Sequence, residues 1–252
     1  MDGCDEQRAL IDGSGRDPAT VRAHRLIRDV VESVVIGVAL TAVSTVLATW
    51  LGADVSLSGL ESFAVFTSYS CTYLAVRQRR LNYVVGMLST IAYAVLFHRQ
   101  GLVASAVLNV YLTPTLVYGW FRWNRDARTR PVTNVTWRSL PAYAAVTTGA
   151  YLGALIVIRA LGGQLAMWDA VILVGSVFAQ FLLDNKKLQT WAVWAVVNVI
   201  AIYVYATAGL ALAAAQYVCF LLNTVYGHFS WRATMTPATV PASVQADTAV
   251  FG

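Results

Sequence analysis

The stretch Trp191-Ala-Val-Trp194-Ala-Val-Val-Asn198 lies inside an apolar run that extends from Leu188 to Ala206. At 3.6 residues per turn, positions i, i+3 and i+7 share one face of a helix, so two indoles and one amide form a single stripe. Indole faces stack on flat rings, and an amide both donates and accepts hydrogen bonds. Because lipid cannot satisfy an amide, the stripe should face protein or a cavity. It therefore predicts one wall of a pocket for a flat, uncharged or weakly charged solute that forms hydrogen bonds.

The composition of the whole chain is that of a protein embedded in a bilayer. Its 252 residues are 58% hydrophobic and 12% charged, with a mean hydropathy of +0.59, which is far too apolar for an ordinary soluble domain. Eight apolar segments approach the ~20 residues that a membrane-spanning helix needs. They cover about 31–50, 59–76, 82–97, 102–121, 139–158, 168–183, 188–206 and 210–231. We therefore predict an all-α integral membrane protein with eight transmembrane helices.

The basic residues predict which side of the membrane each connection occupies. All but two of the 18 lysines and arginines fall in the N-terminal tail or in the intervals after even-numbered segments; only Arg99 and Arg159 fall in the opposite intervals. Cytoplasmic connections are enriched in Lys and Arg. We therefore expect a multi-pass protein of the cell (inner or plasma) membrane, with both termini in the cytoplasm. The net charge of +5 follows from this topology and does not indicate a nucleic-acid partner.

The two ends of the chain are polar or of low complexity. Residues 1–30 lack a short apolar region near the start and predict a flexible cytoplasmic tail, with room for one amphipathic helix from Val21 to Asp29. Residues 31–50 form the first transmembrane segment. Residues 233–252 are rich in Thr, Pro, Ala and Val and predict a disordered C-terminal tail.

An internal repeat divides the remaining segments. The sequence Tyr118-Gly119-Trp-Phe-Arg-Trp123 recurs, at an offset of 108 residues, as Tyr226-Gly227-His-Phe-Ser-Trp231. This predicts one three-helix repeat over 59–123, a linker helix at 139–158, and a second repeat over 168–231. Three spans invert the chain direction and one extra span restores it, so the repeats should be parallel about an axis along the membrane normal. The first transmembrane segment stands outside this 3+1+3 core.

Repeats of this kind place the substrate site between the two bundles, near the middle of the membrane. Polar residues within the spans are candidates for it, and beyond Asn198 they include Asn109, Gln180 and Asn223, with Thr113, Ser176 and Gln216. The alternative is that these side chains form hydrogen bonds between helices. Trp191, which lies close to a segment end, could equally belong to the interfacial belt of aromatic residues.

Several chemical signatures are absent from the sequence. No Asp, Glu, Lys, Arg or His lies deep within an assigned segment, whereas ion-coupled transport usually needs such groups. The chain has no Walker A sequence and no His-Glu-x-x-His, and its three cysteines are scattered. We expect passive transport, with no catalytic residues, metal or cofactor. An intramembrane enzyme or a receptor-like membrane protein is the alternative class.

The stripe, the repeat and the two Tyr-Gly-x-x-x-Trp endings resemble the PnuC-type vitamin transporters, whose best-known members carry nicotinamide riboside. The resemblance covers roughly 60–232 and also includes Ala179-Gln180, Lys186-Lys187, Tyr205 and Gly209-Leu210. It implies a SWEET-like 3+1+3 fold, a homotrimer in the lipid bilayer, and facilitated diffusion. It also implies that a separate cytoplasmic kinase traps the vitamin.

The resemblance also implies a substrate site. Aromatic and amide side chains hold the vitamin in the family, and here these are Trp191, Trp194, Asn198 and Gln180, with Asn109. We expect the flat ring to stack on Trp194, and ribose hydroxyls to meet Asn109 and Asn223. No buried cation is available to pair with a phosphate, so the dephosphorylated vitamin is expected.

One departure from the family leaves the vitamin open. The family often has Glu-Asn just before the first tryptophan of the stripe, where this chain has Gln189-Thr190. Riboflavin and thiamine, which relatives with the same fold carry, and a sugar remain alternatives to nicotinamide riboside.

Overall fold

The computed structural model describes residues 18–53, 59–99, 103–126, 130–160, 165–207 and 211–235, together with Gly162 and Gly209. These residues form eight α-helices, which we number along the chain: α1 (Pro18–Trp50), α2 (Gly59–Val76), α3 (Leu81–Arg99), α4 (Val103–Asp126), α5 (Leu140–Ala160), α6 (Ala166–Asp184), α7 (Thr190–Thr207) and α8 (Ala211–Ala233). A 3₁₀ turn, Trp137–Ser139, leads into α5. The prediction of an all-α protein with eight helices is confirmed; the start of α1 differs from its predicted position.

Five of these helices are long and apolar enough to cross a membrane: Leu26–Trp50 in α1, α3, Trp137–Ala160 including α5, α6 and α7. The other three, α2, α4 and α8, do not belong to this set. They carry more polar side chains, which include Asn109 on α4 and Gln216 on α8. A helix that packs against other helices needs less apolar surface than one that faces lipid on all sides.

The order of contacts arranges six helices in a ring. Helices α2, α3 and α4 pack in sequence, as do α6, α7 and α8. Helix α4 contacts α6, and α8 contacts α2, so each group of three touches the other at two places. Helix α1 lies outside against α2 and α8, and α5 packs against α6. We call α2–α4 the first half and α6–α8 the second half.

Two matching turns connect the first two helices of each half. Gln78 (φ 53°) follows α2 and Lys186 (φ 49°) follows α6, both in the left-handed region. The amide of Arg79 donates to the carbonyl of Leu74, as that of Lys187 does to Leu182. These bonds are those of the Schellman motif that commonly ends helices. The two turns correspond residue by residue at the 108-residue offset of the sequence repeat.

The start of α1 corrects the predicted N-terminal boundary. The helix begins at Pro18 rather than at residue 31, so residues 18–30 are neither a flexible tail nor a separate short helix. Asp29 is buried and lies 3.0 Å from Arg79 Nε, and the Tyr73 hydroxyl donates to Glu32 at 3.0 Å. These polar contacts to α2 and its turn extend helical order below the apolar segment. Residues 1–17 and 236–252, the rest of the two predicted tails, lie outside the described residues.

Candidate functional site

The stripe of two indoles and one amide on α7 faces the interior of the helical bundle. Trp191 is 4% exposed and Asn198 is 2% exposed, and Trp194 between them is half-buried. Val196 and Tyr203, on the opposite face of the helix, are exposed. Burial of one face and exposure of the other is the arrangement expected when a helix lies between lipid and a protein interior.

Asn198 occupies the middle of α7. It lies eight residues into an 18-residue helix, about 12 Å from the start of the helix at 1.5 Å per residue. Its Nδ2 donates to Thr224 Oγ1 on α8 at 3.0 Å, and Thr224 donates in turn to the carbonyl of Phe220. In the described part of the chain, no other hydrogen bond reaches this amide. Its oxygen and second N–H therefore remain for a ligand.

Trp194 packs against an apolar wall between α6 and α7. It packs against one buried apolar cluster, whose members are Ile172, Val197, Ala201 and Val204. Together with Asn198, one turn further along, this gives a flat aromatic surface beside a hydrogen-bonding group. That combination suits a ring that carries a polar substituent.

Trp191 has two kinds of environment at once. Its ring packs edge-on against Trp231, with centroids 5.3 Å apart and planes at 89°. It also lies against Gly227, where an added Cβ would fall 2.6 Å from the ring. The indole Nε1, however, is buried and has no hydrogen-bond partner. A buried unpaired donor is uncommon and costs free energy unless water or a ligand meets it.

Gln180 belongs to a polar cluster at the end of α6. Its Nε2 donates to Asp184 Oδ1 at 2.9 Å, and the hydroxyl of Tyr83 on α3 donates to the same oxygen at 2.7 Å. The indole of Trp123 on α4 donates to the main-chain carbonyl of Asp184 at 3.2 Å. The structure therefore places Gln180 in a contact between the two halves. The sequence analysis did not propose this pair, although the i,i+4 spacing of Gln180 and Asp184 is a signal that could have found it.

Asn109 and Asn223 are both half-buried, on α4 and α8. The hydroxyl of Thr113 donates to the main-chain carbonyl of Asn109 at 3.1 Å and lies 3.0 Å from the hydroxyl of Thr90 on α3. The hydrogen bond that joins the α7 stripe to α8 ends on Thr224, the neighbour of Asn223. The roles of Asn109 and Asn223 in substrate binding remain predictions.

A second polar pair crosses between the halves nearer the other end of the helices. Gln216 Nε2 lies 2.7 Å from the hydroxyl of Tyr93 on α3, and its Oε1 lies 3.0 Å from the same hydroxyl. Aromatic rings surround the pair: Phe97 stacks on Tyr93 at 5.5 Å, and Tyr205 stacks on Tyr217 at 5.2 Å. Gln216 was a candidate in the sequence, but its partner on α3 was not foreseen, because Tyr93 belongs to no motif.

The two positions where the sequence departs from the family pattern, Gln189 and Thr190, make hydrogen bonds that stabilise a turn. Gln189 Nε2 donates to Asn134 Oδ1 at 3.0 Å, and its Oε1 accepts from the amide of Val135 at 2.9 Å. The hydroxyl of Thr190 is fully buried and donates to the carbonyl of Ala179. Gln189-Thr190 therefore fixes the α4–α5 connection and the start of α7.

Lys186 is a buried cation in the turn between α6 and α7. Its Nζ donates to Gln78 Oε1 at 3.0 Å and to the carbonyl of Arg130 at 3.3 Å, and it lies 5.1 Å from the ring centre of Trp123. Burial, together with the neighbouring charge of Arg130, lowers the pKa of Lys186 from 10.5 to about 8. The ammonium is already engaged in contacts between the halves.

A separate groove of about 290 Å³ lies between α5 and α6, lined by residues that include Thr147, Tyr151, Val174 and Phe178. None of the predicted site residues lines it. Its walls are mostly apolar and it is open to the outside of the helical ring, where lipid would lie. No group of three or more His, Cys, Asp or Glu residues within the described ranges could hold a metal ion.

The sequence matches the family model described as "Nicotinamide mononucleotide transporter" over residues 58–233. It is 25% identical over 204 residues to the "Nicotinamide riboside transporter PnuC" of Escherichia coli (strain K12), covering 69% of this chain and 85% of that protein. It is 27% identical over 192 residues to the protein of the same name from Neisseria mucosa, covering 69% of this chain and 72% of the other. A solved structure, "Crystal structure of the Vitamin B3 transporter PnuC", shares the fold with a TM-score of 0.65 at 24% identity, over 80% of this chain and 91% of that one.

Proposed function

This chain belongs to the nicotinamide mononucleotide transporter family, and on that basis we propose that it carries nicotinamide riboside across the membrane by facilitated diffusion. It is a multi-pass membrane transporter and not an enzyme. Nicotinamide riboside is the substrate for which its PnuC relatives are named. Its heterocycle is flat, its carboxamide both donates and accepts hydrogen bonds, and its ribose has hydroxyl groups.

The observation that carries this proposal is the inward orientation of the α7 stripe and its unpaired polar groups. Trp191, Trp194 and Asn198 point inward, and two of them keep polar groups without partners: the buried Nε1 of Trp191 and the oxygen of the Asn198 amide. The two groups lie two turns apart, about 10 Å along the helix axis. A riboside of comparable length would span them, with its ring on Trp194. Stacking of this kind contributes on the order of 1 kcal/mol beyond burial.

The individual candidate residues make different contacts with the substrate in the proposed site. Asn198 forms hydrogen bonds with the carboxamide of the substrate, and the Trp191 ring forms one end of the pocket. Gln180 already bonds to Asp184, so it acts at the pocket edge, where its oxygen is available to the substrate. Asn109 and Asn223, half-buried on α4 and α8, contact the ribose hydroxyls.

The architecture proposed for transport is a 3+1+3 arrangement of parallel halves with α1 outside it. The contacts of α4 with α6 and of α8 with α2 support it, because a two-fold axis between the halves exchanges one contact for the other. All eight helices span the membrane, and both termini lie in the cytoplasm, as the distribution of Arg and Lys indicates. The protein forms a homotrimer, as the family resemblance implies.

In the proposed mechanism the two halves rock about a fixed site between them and expose it to each side in turn. Asp29 and Asp184 are buried, but both lie towards helix ends on the Arg- and Lys-rich side and have polar partners. Asp184 accepts a hydrogen bond from Gln180 at the pocket edge, but among the described residues no hydrogen bond joins either carboxylate to Trp191, Trp194 or Asn198. Movement is therefore uncoupled, and a separate cytoplasmic kinase makes uptake one-way by phosphorylating the vitamin.

The proposed substrate is the riboside and not the mononucleotide after which the family is described. A phosphate in the middle of the membrane needs a cation. The buried ammonium of Lys186 is engaged by Gln78 and Arg130 at the helix ends. Release of that cation would break a contact between the halves.

Calorimetric titration of the purified protein tests the proposal. Nicotinamide riboside should bind saturably, and nicotinamide mononucleotide, riboflavin, thiamine and glucose should not. Trp194→Ala and Asn198→Ala should each weaken binding at least ~10-fold, equivalent to about 1.4 kcal/mol. Trp137→Ala, at a tryptophan that is 73% exposed, is the matched control and should bind normally. Binding of riboflavin, thiamine or glucose instead would show that nicotinamide riboside is not the substrate. Unchanged binding by both site variants would disprove the proposed site.

A further inference from the structure

A set of four aromatic residues, Tyr83, Trp123, Trp191 and Trp231, joins the two halves at the ends of α4 and α8. We call this set the indole seam. Tyr83 and Trp123 pack edge-on with centroids 5.3 Å apart and planes at 80°, and Trp191 and Trp231 pack at 5.3 Å and 89°. The second pair lies at the 108-residue repeat offset from the first. The same packing therefore occurs once in each half.

The glycine of each Tyr-Gly-x-x-x-Trp motif allows this packing. A Cβ on Gly119 would collide with the Tyr83 ring, and a Cβ on Gly227 would lie 2.6 Å from the Trp191 ring. The motif thus places a glycine under the aromatic ring of the neighbouring helix. The tryptophan one turn later is then free to reach the other half.

The two tryptophans that end the motifs make reciprocal hydrogen bonds. Trp123, in the first half, donates its Nε1–H to the carbonyl of Asp184 in the second half at 3.2 Å. Trp231, in the second half, donates to the carbonyl of Val76 in the first half at 3.0 Å. Val76 and Asp184 are the last residues of α2 and α6 and again differ by 108. The last tryptophan of each half therefore binds the C-terminal end of the first helix of the other half.

The two turns meet at the centre of this arrangement. Gln78 and Lys186 correspond at the repeat offset, and Lys186 Nζ donates to Gln78 Oε1 at 3.0 Å. Two equivalent residues can contact one another only close to the axis that relates them. The indole bonds therefore flank the axis between the halves, at the end where the Arg- and Lys-rich connections lie.

The acceptors suit a contact that opens and closes. The last carbonyls of a helix have no partner within the helix, and water can replace an indole N–H at such a carbonyl once the halves separate. A mid-helix hydrogen bond could not be exchanged in this way. The Tyr93–Gln216 pair crosses between the halves at the other side of the stripe, so the substrate site lies between two cross-half contacts.

We propose that the indole seam is the cytoplasmic gate of the transport cycle, and that the hydrogen bonds from Trp123 and Trp231 are its two symmetric closures, both of which must break before the site opens to the cytoplasm. This proposal rests on the proposed function, which supplies the topology and the alternating site. It assigns Trp123 and Trp231 to gating and not to substrate contact.

Thiol labelling from the cytoplasmic side tests the gate. Ser176 is buried on α6 and shares a helix face with Gln180, one turn deeper from the seam. Ser176→Cys, in a chain with Cys4, Cys71 and Cys219 changed to Ser, is the reporter in inverted membrane vesicles. Its labelling rate by a membrane-impermeant maleimide should rise several-fold with Trp123→Phe and with Trp231→Phe, which keep a ring and remove the N–H. The two effects should multiply in the double variant.

Trp137→Phe, at an exposed tryptophan outside the seam, is the control and should leave the labelling rate unchanged. A purely structural seam would give lower melting temperatures in both seam variants with an unchanged labelling rate, and that result would overturn the gate. Thr224→Cys provides a second reporter where Ser176→Cys fails to fold. Nicotinamide riboside binding by the wild-type chain is measured separately. Absence of binding with the expected labelling pattern would refute the substrate and leave the gate standing.

Discussion

Gly227→Ala is the sharpest single test of how α7 and α8 pack. The added Cβ would lie 2.6 Å, 2.6 Å and 2.7 Å from three ring atoms of Trp191, whereas carbon atoms in contact prefer about 3.5–4.0 Å. The ring or the helix must therefore move by about 1 Å. Trp191 is 4% exposed, and Trp231 packs against it edge-on, so the ring has no free space to enter.

The expected cost follows from two opposing effects. Overpacking a dense core costs about 1–3 kcal/mol, and replacing a helical glycine by alanine gains about 1 kcal/mol. The net change in the free energy of unfolding should be a loss of up to about 2 kcal/mol. Because Trp191 belongs to the proposed substrate site, we also expect affinity for nicotinamide riboside to fall roughly tenfold, which corresponds to about 1.4 kcal/mol.

Gly153→Ala on α5 is the matched control. It is also a helical glycine, and an added Cβ there would meet nothing within 4 Å. It should therefore raise stability by up to about 1 kcal/mol and leave binding unchanged. Thermal unfolding of both variants in detergent, with and without nicotinamide riboside, makes the comparison. Equal stability of Gly227→Ala and Gly153→Ala, with equal affinity, would refute the packing at Trp191.

Three further predictions concern the contacts between the halves. Tyr83→Phe removes a 2.7 Å donor to the buried Asp184 carboxylate and should lower stability by about 1–3 kcal/mol. Asp184→Ala, which removes the acceptor, should largely abolish this effect in a double-mutant cycle, and additive losses would contradict the bond. The pKa of Lys186 falls from 10.5 to about 8 on folding, so between these pH values the unfolded chain binds more protons than the folded chain. The stability of the wild type should therefore rise across that pH range relative to Lys186→Met. Parallel pH profiles of the two proteins would contradict the lowered pKa of Lys186. Gln189→Ala removes the hydrogen bonds to Asn134 and Val135. It should make the 130–136 connection more sensitive to protease and leave binding of the vitamin unchanged. Lost binding would indicate that Gln189 contacts the substrate.

Apolar length is a local property of the sequence, and it predicted the helices well. The predicted segment 59–76 coincides with α2, and 168–183 differs from α6 (Ala166–Asp184) by two residues or fewer. The start of α1 at Pro18 was missed because its helical order depends on contacts with distant residues, such as that of Asp29 with Arg79. No local pattern carries that information.

Part of the candidate site also follows from local features of the sequence. The α7 stripe follows from helical periodicity, and its burial agrees with the prediction that it faces inward. The sequence also showed both Tyr-Gly-x-x-x-Trp motifs, but not what their tryptophans bind. Their acceptors lie 61 residues away for Trp123 and 155 for Trp231, in the opposite half. The sequence contains the repeat, but only the fold shows that the last tryptophan of each repeat forms a hydrogen bond with the other repeat.

Uptake into liposomes tests the central claim most directly. The purified protein is reconstituted without any ion gradient, and labelled nicotinamide riboside is added outside. We expect entry until the inside and outside concentrations are equal, and accumulation beyond that point only when a riboside kinase and ATP are enclosed. At a substrate concentration below the wild-type Kd, we expect entry to be several-fold slower with Asn198→Ala. Absence of entry with the wild-type protein, or accumulation that requires a proton or sodium gradient, would contradict facilitated diffusion through this site.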